Sequence, residues 1–226
     1  MDDDSFARNY LCKFIDCNDQ FFTLDLLTDC IDYELENLSN EKLKKIPYLV
    51  AGLDVAKRSD STVLTVIEKM MGGNYRVVLI KEFQKVDYID QIRWICGLTR
   101  EIGIKKIYLD RTGVGDAVEE LFTRNLGSTI EPIVFNNNNK ELMITNLKLL
   151  FERKQISIPD NRKLFDQLIG LNRSFTNSGL IKFEHEKGKH DDYAWSLALA
   201  TSALRAERKP FTVEGIIPIH RKIRSI

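Results

Sequence analysis

The chain has 226 residues, 43% of them hydrophobic, and a formal net charge of zero, which suits one sizeable core in an ordinary soluble protein. No apolar run approaches the roughly 18 residues of a membrane span, and the acidic opening Met1-Asp2-Asp3-Asp4 is wrong for a signal peptide, so an intracellular protein with no membrane partner is expected. Charge is unevenly divided: residues 1–46 hold 11 acids and 5 bases, leaving 22 acids and 28 bases in 47–226, a surplus that permits a nucleic-acid partner without demonstrating one.

Residues 5–46 read as helical and acidic, with Phe6, Tyr10, Phe14, Phe21, Phe22 and Leu26 as apolar anchors and Pro47 closing the segment. Residues 1–47 are expected to form an N-terminal arm or linker, with packing of its aromatic residues on the main domain as the alternative. Cys12, Cys17, Cys30 and Cys96 lack the paired spacings of a zinc site; reduced thiols are expected.

From residue 48 the pattern is strand-like three times, over Leu49–Val55, Thr62–Met70 and Tyr75–Phe83, with Gly72-Gly73-Asn74 as the turn between the last two. Residues 86–102 carry apolar residues at helical spacing, and Gly103 stops them. Lys106–Asp110 is a fourth strand, an amphipathic helix runs to about 126, and Ile130–Phe135 is a fifth strand. The asparagines 136–139 read as a loop before a helix over Lys140–Gln155 with Leu142, Leu147, Leu150 and Phe151 inward. Ile156–Pro159 is short and extended, Arg162–Asn172 is helical, and Ser174–Glu186 holds a hairpin around Asn177-Ser178-Gly179. His190-Asp191-Asp192 then precedes an alanine-rich apolar helix, and the tail 209–226 is basic.

Three acidic points stand out. Asp54 ends a buried strand, Asp110 ends another, and Asp191 and Asp192 open a helix. Each has a plain explanation: an aspartate at the end of a strand, as at Asp54, can simply open a turn, and an aspartate before an apolar run caps a helix, where the dipole favours negative charge. A buried carboxylate otherwise costs several kcal/mol unless it is paired, and a metal ion is a common partner. The order of the elements is like that of the RNase H-like fold: a mixed five-stranded sheet flanked by helices, here with an extra hairpin and a helical N-terminal arm.

Gly52-Leu53-Asp54-Val55-Ala56 with Ser59-Asp60-Ser61-Thr62, Tyr108-Leu109-Asp110 with Gly113-Val114-Gly115, and His190-Asp191-Asp192 before Leu197-Ala198-Leu199-Ala200 resemble the nuclease domain of viral large terminase subunits, the DNA-packaging motors of tailed phages. The resemblance covers about 48–208. It implies a metal-dependent endonuclease acting on double-stranded DNA, in which Asp54 bridges two Mg²⁺ or Mn²⁺ ions while Asp110 and Asp192 each complete one ion's shell. Asp60 and Asp191 are secondary ligand candidates. The implied partners are the terminase ATPase half, the small terminase subunit and the portal, in the host cytoplasm. No G-x-x-x-x-G-K-[ST] phosphate loop occurs, so the chain is expected to correspond to the nuclease half.

Lys182, Lys187, Lys189 and His190 are candidate phosphate contacts, with solvated surface charge as the alternative for each. Residues 136–190 hold 10 bases against 6 acids, which places the expected DNA groove along the helix from 140 and the hairpin near 174–186. Two rival readings are an actin-like or sugar-kinase ATPase domain, which lacks its adenosine loop here, and a non-catalytic DNA-binding module on the same fold.

Overall fold

The computed structural model describes residues 20–55, 61–112, 115–175, 181–185 and 190–204. Six strands form one sheet in the order β5-β4-β1-β2-β3-β6: β1 Leu49–Asp54, β2 Thr62–Lys69, β3 Tyr75–Phe83, β4 Lys106–Asp110, β5 Ile130–Ile133 and β6 Ile156–Ser157. β1, β2 and β3 are antiparallel neighbours, whereas β4 lies parallel to β1, β5 to β4, and β6 to β3. The expected five strands become six because the extended stretch at 156 pairs with the outer edge of β3 through Tyr75 and Ile156. A separate hairpin pairs β7 Asn172–Phe175 with β8 Ile181–Glu184; its expected turn at 177–179 lies outside the described residues.

Side chains of a strand alternate between the faces of its sheet. In β1, Leu49, Ala51 and Leu53 enter a core built with α3 Tyr88–Ile102 and α4 Asp116–Leu126. Val50 enters the opposite core, built with α5 Asn137–Glu152, α6 Arg162–Ile169 and α7 Asp192–Ala203. Parity therefore puts Gly52 and Asp54 on the α7 side. In β4, Ile107 and Leu109 belong to the first core and Tyr108 packs on the second, so Asp110 also faces α7.

α7 is apolar all round because it is buried all round, between the sheet and α5 and α6. It lies directly on β1. A Cβ at Gly52 would stand 2.0 Å from the Ser196 carbonyl oxygen and 2.3 Å from the Ala200 nitrogen, so only glycine permits this approach. A buried hydrogen bond of 2.7 Å between Thr65 and Ser196 ties the helix to β2 as well.

Several boundaries differ from the sequence expectation. Among described residues the N-terminal segment holds only the short helices α1 Leu24–Thr28 and α2 Asn40–Leu43. Phe22 and Leu27 are fully buried with α5 and α6, and Leu43 with α3, so the 20–47 stretch packs on the domain. Helix α5 begins earlier than expected because Asn136 is its cap, its side-chain oxygen accepting the Asn139 N–H at 2.8 Å. Leu142 and Leu147, five residues apart, lie about 140° apart round a helix of 3.6 residues per turn, so both cannot face the core. Met143, Ile144, Leu147 and Phe151 face inward, while Leu142, expected inside, is 60% exposed.

Candidate active site

The parallel register of β1 and β4 pairs Leu53 with Leu109, so Asp54 and Asp110 emerge side by side at the same end of adjacent strands. The contact of α7 with Gly52 brings its first turn, with Asp191 and Asp192, over that end. Three segments far apart in sequence thus place carboxylates together. Burial pushes the Asp54 carboxyl well above the usual carboxylate range, the charges of Asp110, Asp192 and Asp191 push the same way, and the Lys140 ammonium pulls it back.

Each carboxylate is positioned differently. Asp110, 8% exposed, accepts the Thr112 N–H at 2.7 Å, a short turn that stops the side chain swinging away. Asp191 is the residue before α7, and its Oδ2 accepts the Trp195 indole N–H at 2.7 Å and lies 3.0 Å from His185 Nδ1. Its carboxylate therefore orients neighbours. Asp192 is the first helical residue, with His190 Nδ1 at 4.0 Å.

The simple capping explanation does not hold for Asp191. Asp191 makes no side-chain cap bond; instead Gln167 of α6 takes the Tyr193 N–H at 2.7 Å and the Ala194 N–H at 3.3 Å. On the other flank Glu82, in register with Asp54 through Val63, accepts Tyr193 Oη–H at 3.0 Å and Lys163 Nζ–H at 2.6 Å. Burial alone would raise the Glu82 carboxyl, but hydrogen bonds from Lys163, Gln84, Ser61 and Tyr193 bring it down to about 2. This clamp joins β3, α6 and α7. Burial and the Glu82 bond push the Tyr193 phenol up.

As the side chains stand, no three acidic, histidine or cysteine groups among the described residues are close enough to hold one ion. The fit to a metal is one of chemistry and placement: an all-oxygen donor set whose mutual repulsion a hard divalent cation would relieve. Of the expected site residues, Asp54, Asp110, Asp191 and Asp192 are brought together. Asp60, Lys187 and Lys189 lie outside the described residues. Lys182 and His190 are exposed. Sequence reasoning missed Gln167, Glu82 and the approach of Lys140; the cap at Asn136, four residues before Lys140, was the available signal for the last.

The sheet order, with carboxylates on adjacent strand ends and a last helix laid across them, defines an RNase H-like domain. The chain belongs to the Terminase RNaseH-like domain family, whose pattern matches residues 51–204. It is 29% identical over 201 residues to the terminase large subunit of Thermus virus P23-45, covering 87% of this chain and 40% of that protein. It thus spans about two fifths of that relative. Among solved structures it resembles the large terminase nuclease of thermophilic phage G20c with bound magnesium, at TM-score 0.68 and 25% identity over 83% of this chain and 98% of that one. The fold also matches, at TM-score 0.60 and 16% identity over 80% of this chain and 97% of that one, a K428A nuclease domain of the large terminase subunit of bacterial virus Sf6 with manganese. No described helix is long and apolar enough to cross a membrane.

Proposed function

We propose that the chain is a divalent-metal-dependent endonuclease that cuts double-stranded DNA with little sequence preference, as the nuclease part of a viral DNA-packaging terminase. The observation that carries this reading is the placement of Asp54, Asp110 and Asp192 at one end of the sheet, where the charges of Asp110 and Asp192 act on Asp54, with the Tyr193 and Ala194 amides taken by Gln167. Carboxylates crowded at one point disfavour one another's ionised form. A cation-binding role explains why they are kept.

In this proposal Asp54, Asp110 and Asp192 would hold two Mg²⁺ or Mn²⁺ ions, with Asp60 as a secondary ligand. When bound, such ions lower the pKa of a water for in-line attack on phosphorus and stabilise the departing 3′ oxygen. The chain's residues do the positioning. Thr112 steadies Asp110, and Asp191 holds Trp195 and His185 in place. Lys182 and His190 at the surface, with Lys187 and Lys189, supply charge for the DNA backbone, a kind of contact that does not read sequence. By family, the ATPase half, the small terminase subunit and the portal are the proposed partners, in the host cytoplasm.

Incubation of supercoiled and linear plasmid with Mg²⁺ or Mn²⁺, against an EDTA control, tests the reading. Metal-dependent cuts whose mapped ends scatter over the sequence are expected, with cleavage weakening as salt rises. A folded protein that cuts nothing in either metal over a broad concentration range would overturn the nuclease assignment, and a sharply defined cut sequence would overturn the lack of preference.

A further inference from the structure

Lys140 lies in the first turn of α5 with its Nζ 4.5 Å from the centre of the Trp195 ring and 5.2 Å from that of Phe135. The two rings meet at 5.1 Å with a tilt of 57°. Both are anchored to acidic segments of the site. The Trp195 indole donates to Asp191, while the Phe135 N–H donates to Thr112 Oγ1 at 2.8 Å, and the Thr112 N–H donates to Asp110. Trp195 is also one helical turn beyond Asp192 on α7. The ammonium therefore rests on a two-ring seat joined by hydrogen bonds to the segments of Asp110 and Asp191, and its charge acts on Asp54.

Such a seat attracts a cation, but ring faces offer no acceptor atoms for the three N–H donors of an ammonium. A lysine placed only to fill space could be replaced by an apolar side chain of the same length. What the charge adds is a set of N–H donors whose field reaches the carboxylates.

We infer that Lys140, seated on Trp195 and Phe135, grips a phosphate of the DNA strand at the point of cutting, as a substrate-binding residue of this site. The inference rests on the nuclease reading above. Its competitor is a purely internal role, in which Lys140 is a counter-charge for Asp54. The two differ in what they touch: the first touches DNA, the second only the charge balance of the cluster.

The test compares the whole chain with Lys140→Gln, Lys140→Met, which keeps the apolar stem on the rings, and Lys140→Arg, each checked for folding by thermal melting. Binding to a short labelled duplex of mixed sequence is measured by fluorescence anisotropy in EDTA, where metal-dependent cutting is off, over a series of salt concentrations. Loss of one phosphate contact should lower the slope of log K against log salt by about 0.9 in the Gln and Met variants, and Arg should restore it. Unchanged slopes in both neutral variants, with wild-type protein still cutting plasmid in Mg²⁺, overturn the role of Lys140 and leave the nuclease reading standing. Unchanged slopes together with tighter Mg²⁺ binding by calorimetry overturn that role as well and identify Lys140 as a counter-charge. Wild-type protein that neither binds nor cuts duplex DNA overturns both readings.

Discussion

Gln167 reaches from α6 to the start of α7, where its side-chain oxygen accepts the backbone N–H of Tyr193 at 2.7 Å. The bond satisfies an amide that a helix N-terminus otherwise leaves exposed, and it does so from outside the helix. Asp191, the residue before α7, makes no side-chain cap bond of its own. Gln167→Ala should lower stability by about 0.5–2 kcal/mol, the usual cost of a lost cap. It should also reduce cleavage about tenfold or more, as an outer positioning group does. Denaturant melts and plasmid assays read the two effects; full activity in a destabilised variant would confine Gln167 to stability.

Replacing the carboxylates by amides separates ligands from orienting groups. Asp54→Asn, Asp110→Asn and Asp192→Asn should each abolish cleavage in Mg²⁺ and Mn²⁺ while the protein still melts cooperatively. Asp191→Asn should retain measurable activity, with a loss of roughly 10–100-fold, because an amide oxygen can still accept from the Trp195 indole. An active Asp54→Asn protein would falsify the mechanism. An active Asp192→Asn beside a dead Asp191→Asn would exchange the roles of the two neighbours.

Gly52→Ala probes the contact that lays α7 on the sheet. The added methyl would meet main-chain atoms of Ser196 and Ala200, which cannot rotate aside as a side chain can. Overpacking of this kind costs about 1–3 kcal/mol or more, and any shift of α7 carries Asp192 away from Asp54. We expect a lower midpoint in urea together with loss of cleavage. Wild-type stability would show that the helix can ride outward freely.

The pH dependence of stability should contain two opposed contributions. Asp54 has a raised carboxyl in the fold, so its contribution is fully present below the unfolded value of about 3.9 and is lost as pH rises through the raised value. Glu82 is lowered from 4.5 to about 2, so its contribution is present above 4.5 and is lost as pH falls toward 2. In EDTA, Asp54→Asn should remove the loss on the rising side, and Glu82→Gln should remove the loss on the acid side. Mg²⁺ should raise the melting temperature most at the higher pH, since the ion binds ionised carboxylates. A metal-free Asp54→Asn protein with the same pH profile as wild type would count against the crowding of charge at Asp54.

Much of this molecule is written locally in its sequence. The alternation that turns Asp54 toward one face of β1 and the stop at Gly103, which adopts a left-handed φ of 74°, each depend on a few adjacent residues. So does the turn at Gly72-Gly73, both at positive φ, and all are legible as pattern. The carboxylates at the ends of β1 and β4 and at the head of α7 could be named for the same reason. Tertiary structure decided what distant segments do to one another. It added β6 to the edge of β3, packed Phe22 and Leu27 into the core, and left Leu142 outward. It also brought Gln167 to Tyr193 and Lys140 to Trp195. Residue spacing sets which face a side chain occupies, because backbone geometry repeats every few residues. Which capping groups and charges meet that face depends on how helices dock across the sheet, a matter of shape and volume that no short stretch of chain contains.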